Sequence, residues 1–397
     1  MTDLYGFLLG TEGLLADGRC RSMGTLPHRP FVPVAWIAAG SASTALALRV
    51  PSEKGVFETS SRRVTVLDDK TILITGGTGS FGQRFARRIL SQYAPRKVII
   101  YSRDEYKQYS MQSRFKEYDG RLRYFIGDVR DRDRLYRAFD GVNVVIHAAA
   151  LKHVTVAEYN PIEAVRTNVD GAANIIDAAV DRGVERVVAL STDKAVNPIN
   201  LYGATKLVSD KLFVSGNAYA GGKTTMFSVV RYGNVTGSRG SVVPFFARLV
   251  REGVTELPIT DMRMTRFWIT LDEGVDLVFQ ALQSSRGGEV YVSKIPSYKV
   301  ADLARAMHPS AKLKEVGIRE GEKLHEAMIT TEDSRLTYDY GSHYVIYPHF
   351  KWWNYKKHFT PGGTQVEEGF RYTSDENDQW LSVEDMRERL ESIQLVY

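Results

Sequence analysis

Three short stretches hold the side chains best suited to chemistry. Tyr202-Gly203-Ala204-Thr205-Lys206 sets a phenol and an ammonium four residues apart, on one face if the segment is helical. A cation beside a phenol lowers its pKa, so Lys206 is expected to make Tyr202 a group that exchanges a proton with a substrate alcohol while hydride moves to a cofactor. Just upstream, Ser191-Thr192-Asp193-Lys194 places an acid and an amine side by side. The third stretch, Thr75-Gly76-Gly77-Thr78-Gly79-Ser80-Phe81-Gly82, has Gly76, Gly79 and Gly82 at G-x-x-G-x-x-G spacing. Glycines so placed permit a tight turn and close backbone approach to a pyrophosphate, with a helix N-terminus behind it. Each signal is weak alone. Tyr and Lys four apart occur on many surface helices, an Asp-Lys step can be a plain ion pair, and a glycine triplet can be only a turn.

The surrounding elements give these stretches their meaning. Thr71 to Thr75 is a short apolar run that ends in the glycines and reads as a buried strand; Phe81 to Tyr93 follows with helical spacing. Lys97 to Tyr101, Leu122 to Ile126, Val142 to His147, Arg186 to Leu190 and Phe227 to Arg231 read as further strands, separated by helical segments that include Ile162 to Arg182 and Leu201 to Tyr219. Strands alternating with helices predict an α/β fold of the Rossmann type, a doubly wound parallel sheet covered on both faces. In that frame the glycine turn follows the first strand, and the Asp193-Lys194 step ends the fifth, at the carboxyl edge where ligands bind. After Gly233 the rhythm loosens. Val243 to Arg251, Leu271 to Leu282 and Val300 to Met307 look helical, and Val290 to Val292 looks like an isolated strand.

The expected organisation is an N-terminal extension over residues 1–68, a nucleotide-binding domain over 69–232, a smaller substrate-binding region over 233–330 interleaved with it, and a C-terminal tail over 331–397. The tail is rich in Tyr, Trp and His, most densely at Lys351 to Tyr355, and is expected to serve packing or a subunit interface. Within the extension, Phe31 to Val50 carries Arg49 as its only charge. Pro33, Gly40, Ser41, Ser43 and Thr44 thin its hydrophobicity, so an extension outside the fold is favoured over a membrane span.

The end of the second strand selects the nucleotide. The sequence there is Ser102-Arg103-Asp104-Glu105, followed by Lys107. Arg103 favours the 2′-phosphate of NADP, whereas Asp104 and Glu105 keep the ribose hydroxyls of NAD open as an alternative. Asp128 and Val129 after the third strand are expected at the adenine, and Ala148 to Ala150 after the fourth near the nicotinamide.

Composition agrees with a soluble globular protein. Apolar residues are 43% and charged residues 25% of the 397, as in ordinary globular proteins. The net charge of +5 is spread among acidic residues, which argues against a nucleic-acid face and suits anionic small ligands. A single cysteine, Cys20, excludes an internal disulfide and fits a cytoplasmic setting. No Cys/His cluster has metal-ligand spacing, so no metal is expected.

The glycine turn, strand order and Tyr202/Lys206 pair together resemble the extended short-chain dehydrogenase/reductases, from about Lys70 to Glu326. The string Ser191 to Lys206, STDKAVNPINLYGATK, resembles the UDP-N-acetylglucosamine 4,6-dehydratases that invert C5 and open pseudaminic acid synthesis for flagellin. Ala148 to Val154, Arg231 to Val235, Gly237 to Pro244, Arg263 to Phe267 and Gly317 to Lys323 are similar to that family's other motifs. Sugar-nucleotide dehydratases of the superfamily carry Thr-Asp-Glu at the end of the fifth strand; here Lys194 stands where the Glu would be. The retaining relatives are membrane-anchored and typically have Met at the position of Tyr202, so Tyr202 favours the inverting branch.

The resemblance implies a chemistry. Tyr202 takes the C4 hydroxyl proton, Lys194 removes the proton from C5, Asp193 protonates the departing C6 hydroxyl, and Thr192 holds the C4 oxygen. Lys194 must then be partly neutral, and burial with Lys206 nearby is expected to lower its pKa. Gly76, Thr78, Gly79, Ser80, Phe81, Gly82, Ser102, Arg103, Asp104, Glu105, Lys107, Asp128, Val129, Ala148, Lys152, Thr167, Asn168, Tyr202, Lys206 and Val235 are expected around a tightly held NADP. Lys152, Asn234, Arg239, Ser241, Val242, Thr260, Arg266, Arg319 and Glu322 are expected around UDP-N-acetylglucosamine, with Arg239, Arg266 and Arg319 as pyrophosphate clamps. His153 and His325 read as structural. The resemblance also implies a homo-oligomer, possible as a hexamer. Two other readings stand beside this one: a nucleotide-sugar 4-epimerase, which needs Tyr and Lys but no acid–base pair at C5 and C6, and a non-catalytic NADP-binding protein on the same fold.

Overall fold

The computed structural model describes residues 65–238, 241–350 and 359–392. Arg239, the apolar stretch Phe31 to Val50 and the aromatic stretch Lys351 to Tyr355 lie outside them. Ten strands form the main sheet. In chain order they are β1 (Thr71–Thr75), β2 (Lys97–Ser102), β3 (Leu122–Ile126), β4 (Val144–His147), β5 (Arg186–Leu190), β6 (Met226–Arg231), β7 (Val290–Ser293), β8 (Thr337–Asp339), β9 (His343–Ile346) and β10 (Thr364–Gln365). Their spatial order is β10-β8-β9-β7-β6-β5-β4-β1-β2-β3. From β3 across to β7 neighbouring strands are parallel, and β9, β8 and β10 continue antiparallel.

All five residues of β1 and all four of β4 are buried, as a sheet covered on both faces requires. The strand order reverses between β1 and β4, which opens a crevice at their carboxyl ends. Helices Ser80–Gln92 and Leu201–Tyr219, named α1 and α2 here, start at that edge. Between β4 and β5 the chain is largely helical, and the stretch Arg166–Asp170 is a π turn, a widening that often accompanies function. Helical periodicity over Ile162 to Arg182 does not reveal it.

Two expectations change. Residues 65–68 belong to the fold: Leu67 is fully buried in the main core, and the Asp68 carboxylate accepts the Ala94 N–H at 2.8 Å. One apolar side chain in a short 3₁₀ turn leaves no periodic signal. Val290–Ser293 is not isolated but sits inside the sheet between β6 and β9. The tail supplies β8, β9 and β10, and its last helix, Val383–Ser392, packs Met386 into a second, smaller core with Trp268, Leu303 and Ala304. That second core collects Val243 and Phe246, the parallel pair 256–259 and 312–315, and the antiparallel pair 265–267 and 297–299, and it stands over the crevice. Among the described residues no helix is long and apolar enough to cross a membrane.

One contact sets the depth of α2. A Cβ on Gly203 would lie 2.1 Å from the Lys194 carbonyl oxygen, so only glycine lets the first turn of α2 touch the end of β5. Gly203→Ala is expected to cost about 1–3 kcal/mol and to move Tyr202 away from Thr192. Thermal unfolding with an activity assay checks this; an unchanged midpoint with full turnover would contradict the contact.

Candidate active site

The crevice is a cavity of about 1130 Å³, large enough for two nucleotide-sized ligands. Its floor is the glycine turn. Gly76 has φ +64°, and a Cβ there would meet the backbone of Ala148 and Ala149 at 2.9 Å. Close packing of the β1 and β4 ends therefore demands glycine. The first turn of α1 has no side-chain cap and no acidic residue, so its N–H groups and dipole face the cavity free for an anion. Thr78, Gly79, Ser80, Phe81 and Gly82 line this end. The residues thus fit a bound dinucleotide.

At the end of β2, Ser102, Arg103, Asp104 and Lys107 line the cavity, whereas Glu105 does not. Asp104 is spent locally: its carboxylate caps the next helix by accepting the Lys107 N–H and pairs with the Lys107 ammonium at 2.8 Å. Arg103 is largely exposed and lies 3.8 Å from Asp128. Asp128, Val129, Ala148, Lys152, Thr167 and Val235 also line the cavity. Asn168 does not. It is buried and holds the wall, exchanging hydrogen bonds with the backbone of Leu151 and donating to Thr205 Oγ1 at 3.0 Å.

The chemical residues meet where β5 ends against α2. Thr192 Oγ1 donates to Asp193 Oδ1 at 2.8 Å and is the hydroxyl bonded to the Tyr202 phenol. Asp193 is wholly buried beneath the cavity wall, and its Oδ2 has no hydrogen-bond partner. Lys194 Nζ donates to Asp193 Oδ1 at 3.1 Å and to Asn234 Oδ1 at 2.9 Å, and lies 3.3 Å from Glu326 Oε1. Lys206 sits one turn after Tyr202, buried with Asp210 behind it.

Two electrostatic expectations are corrected. Burial alone would lower the Lys194 pKa, but the Asp193 and Glu326 carboxylates outweigh it and hold Lys194 above its usual value. Lys194 is therefore an ammonium here, not a partly neutral amine, and Lys206 is not what governs it. Burial likewise pushes the Tyr202 phenol up to about 12; the cation drawing it down is Lys194. Burial lowers Lys206, only partly offset by Asp210.

The substrate side is mixed. Asn234, Ser241, Val242, Thr260, Arg319 and Glu322 line the cavity. Arg319 is largely exposed, with Glu322 at 3.8 Å, and is placed to clamp a phosphate. Arg266 also lines the cavity, but its guanidinium donates to the carbonyls of Thr265, Lys323 and Leu324 and lies 3.7 Å from Glu326. Most of its donors are occupied, so it fixes the Lys323–Glu326 loop and is a poor pyrophosphate clamp. Glu326, Lys323, Tyr232 and Asn200 line the cavity as well and are absent from the sequence-based set. Asn200 caps α2 and donates to the Gly321 carbonyl at 2.7 Å, so it ties α2 to the substrate loop. The Gly317 to Lys323 string ends three residues short of Glu326, the one available pointer to it.

A glycine turn at the strand-order reversal and a Tyr/Lys helix beside the fifth strand define a Rossmann-fold protein of the short-chain dehydrogenase/reductase type. Residues 72–348 match the family described as polysaccharide biosynthesis protein, and the chain belongs to it. A UDP-N-acetylglucosamine 4,6-dehydratase (inverting) of Campylobacter jejuni is 54% identical over 326 residues, covering 81% of this chain and 97% of its own. A UDP-glucose 4-epimerase of Rickettsia canadensis is 39% identical over 335 residues, covering 83% and 97%. The crystal structure of DesIV, a dTDP-glucose 4,6-dehydratase of Streptomyces venezuelae with NAD bound, superposes with a TM-score of 0.58 at 26% identity, over 64% of this chain and 86% of that one.

The two buried lysines are expected to titrate in order, Lys206 before Lys194, as pH rises. Lysine ¹³Cε shifts followed against pH, assigned with Lys194→Arg and Lys206→Arg, check it. Lys194 titrating first would refute the carboxylate clamp.

Proposed function

We propose that the chain is a UDP-N-acetylglucosamine 4,6-dehydratase that inverts C5. It gives UDP-2-acetamido-2,6-dideoxy-β-L-arabino-hex-4-ulose and water, the first step toward pseudaminic acid on flagellin or surface glycans. The observation that carries this is the Asp193–Lys194 pair, 3.1 Å apart beside Tyr202, in a chain 54% identical to an inverting dehydratase. When bound, the nicotinamide supplies a hydride acceptor and donor. Tyr202, bonded to Thr192, takes the C4 hydroxyl proton once it has lost its own, and a 4-ketone acidifies C5–H. Lys194 takes that proton once it has lost one of its own, and Asp193 protonates the C6 oxygen as it leaves. Arg319 and the uncapped start of the helix Val242–Arg251 are suited to hold the diphosphate.

The cofactor is NADP. Asp104 is engaged with Lys107 and Glu105 does not line the cavity, which leaves Arg103, largely exposed and only loosely paired with Asp128, as the side chain suited to meet a 2′-phosphate. The chain works as a homo-oligomer in the cytoplasm, consistent with its single cysteine. The epimerase reading draws support from the Rickettsia relative, but epimerisation at C4 has no use for Asp193 and Lys194.

Incubation with UDP-N-acetylglucosamine is expected to give a product lighter by one water in the mass spectrum; a product of unchanged mass would favour the epimerase. Lys194→Ala is expected to abolish exchange of C5–H with solvent, and retained exchange would remove Lys194 from the base role. Arg103→Ala should raise the Kd for NADP by roughly tenfold and leave that for NAD unchanged. Equal effects on the two would contradict the assignment.

A further inference from the structure

Lys194 is held at three points. Asp193 and Asn234 come from the ends of β5 and β6; the third, Glu326, arrives from the substrate loop, far along the chain. Glu326 is 2% exposed. Its Oε1 lies 3.3 Å from Lys194 Nζ and 3.7 Å from Arg266 Nε, and its Oε2 lies 3.9 Å from Lys323 Nζ with no hydrogen-bond partner. A carboxylate buried this deeply without a full set of donors is costly unless nearby charge compensates it. Its backbone N–H and carbonyl are tied to Ser374, which fixes where the carboxylate can point. The loop carrying it is braced by Arg266 on one side and by Lys323, which donates to the Val196 carbonyl, on the other.

We propose that Glu326 is a positioning residue for the elimination: from a distant loop it holds the Nζ of Lys194 at the cavity wall, opposite Asp193. This rests on the dehydratase reading above. Without Glu326 the ammonium would be held by Asp193 and Asn234 alone, on the β5 side of the cavity. With it, Lys194 lies between two carboxylates, one beneath the wall and one on it.

The protons of the elimination balance within the site; the proton then added at C5 comes from solvent and is matched by the C4 proton that Tyr202 has taken. Lys194 passes one proton to Asp193 across their 3.1 Å contact; one N–H bond breaks and one O–H bond forms, leaving the amine and the carboxylic acid that elimination needs. The amine takes the C5 proton. The C6–O bond breaks, and the oxygen leaves as water with the Asp193 proton. Both groups return to their resting forms, and Glu326 takes no part in the proton transfers; it holds Lys194 in place. The charged and titratable groups facing this cluster are Asp193, Lys152, Tyr202, Arg266, Tyr298 and Lys323. In Glu326→Gln, Asp193 alone opposes the push of Arg266, Lys323 and Lys152 on the Lys194 ammonium. Lys194 then loses its proton to solvent more readily, and because the pair must hold that proton to pass it to Asp193, the alkaline limb of the pH profile moves to lower pH.

The test uses the full chain with NADP and UDP-N-acetylglucosamine, after the wild type has been shown to release water. Glu326→Gln is expected to lower kcat about tenfold to a hundredfold with KM within about twofold. Reduction of bound cofactor in a single turnover should persist, C5–H exchange in heavy water should slow in step with kcat, and the alkaline limb should shift downward. Glu326→Asp should return the limb to the wild-type position with kcat still reduced. A purely structural role would depress cofactor reduction and C5 exchange alike and leave the limb in place, and that result would overturn the proposal, as would Glu326→Gln at wild-type kcat. If circular dichroism shows Glu326→Gln unfolded, Glu326→Asp carries the test, and wild-type kcat in that variant refutes it. A wild type that releases no water fails the dehydratase reading itself, a distinct outcome.

Discussion

A lysine ammonium held between two carboxylates at the end of a parallel strand is the constraint around which the rest of this structure is arranged. Removing charge from water is expensive, and a pair left without its partner inside a protein costs more than the pair returns. The chain therefore has to bring Asp193, Asn234 and Glu326 to Lys194, each from a different segment. The sheet supplies the first two as neighbouring strand ends. The second core supplies the third, because Arg266, on the short strand 265–267, grips the carbonyls of the loop that carries Glu326. Placing one amine joins the nucleotide-binding sheet to the substrate region.

The same constraint explains the approach of α2. Tyr202 must reach Thr192 while the helix that carries it clears the Lys194 carbonyl, and Gly203 provides that clearance. Behind Tyr202 the network continues through Lys206 and Asp210. Ser191 Oγ donates to Asp210 Oδ2 at 2.6 Å, and Arg231 lies 3.7 Å away. Phenol, ammonium and carboxylate form one buried charge system, so the state of any member depends on the others. The glycine turn stands apart from it, held by the packing of β1 against β4 and not by charge.

Much of this was legible in the residues. The strands from Thr71 to Arg231 announce themselves as apolar runs, α2 spans Leu201–Tyr219 as its pattern indicates, and the glycine turn sits where its spacing puts it. Local signals found local structure. What escaped was set by distance along the chain. The ionisation of Lys194 depends on Glu326, which no spacing rule connects to it; burial taken alone points the pKa the wrong way. Arg266 looks like a free clamp in sequence because its partners are backbone carbonyls, which carry no residue signature. Leu67 and the tail strands β8 to β10 are too short for periodicity to separate them from loops.

The central claim is that Asp193 and Lys194 perform an elimination at C5 and C6 and leave C5 inverted. Proton NMR of the product formed from UDP-N-acetylglucosamine in heavy water tests it most directly. The account predicts a 4-keto-6-deoxy sugar with deuterium at C5 and ring couplings of the L-arabino configuration. A product that keeps its C5 hydrogen and the original configuration would contradict it.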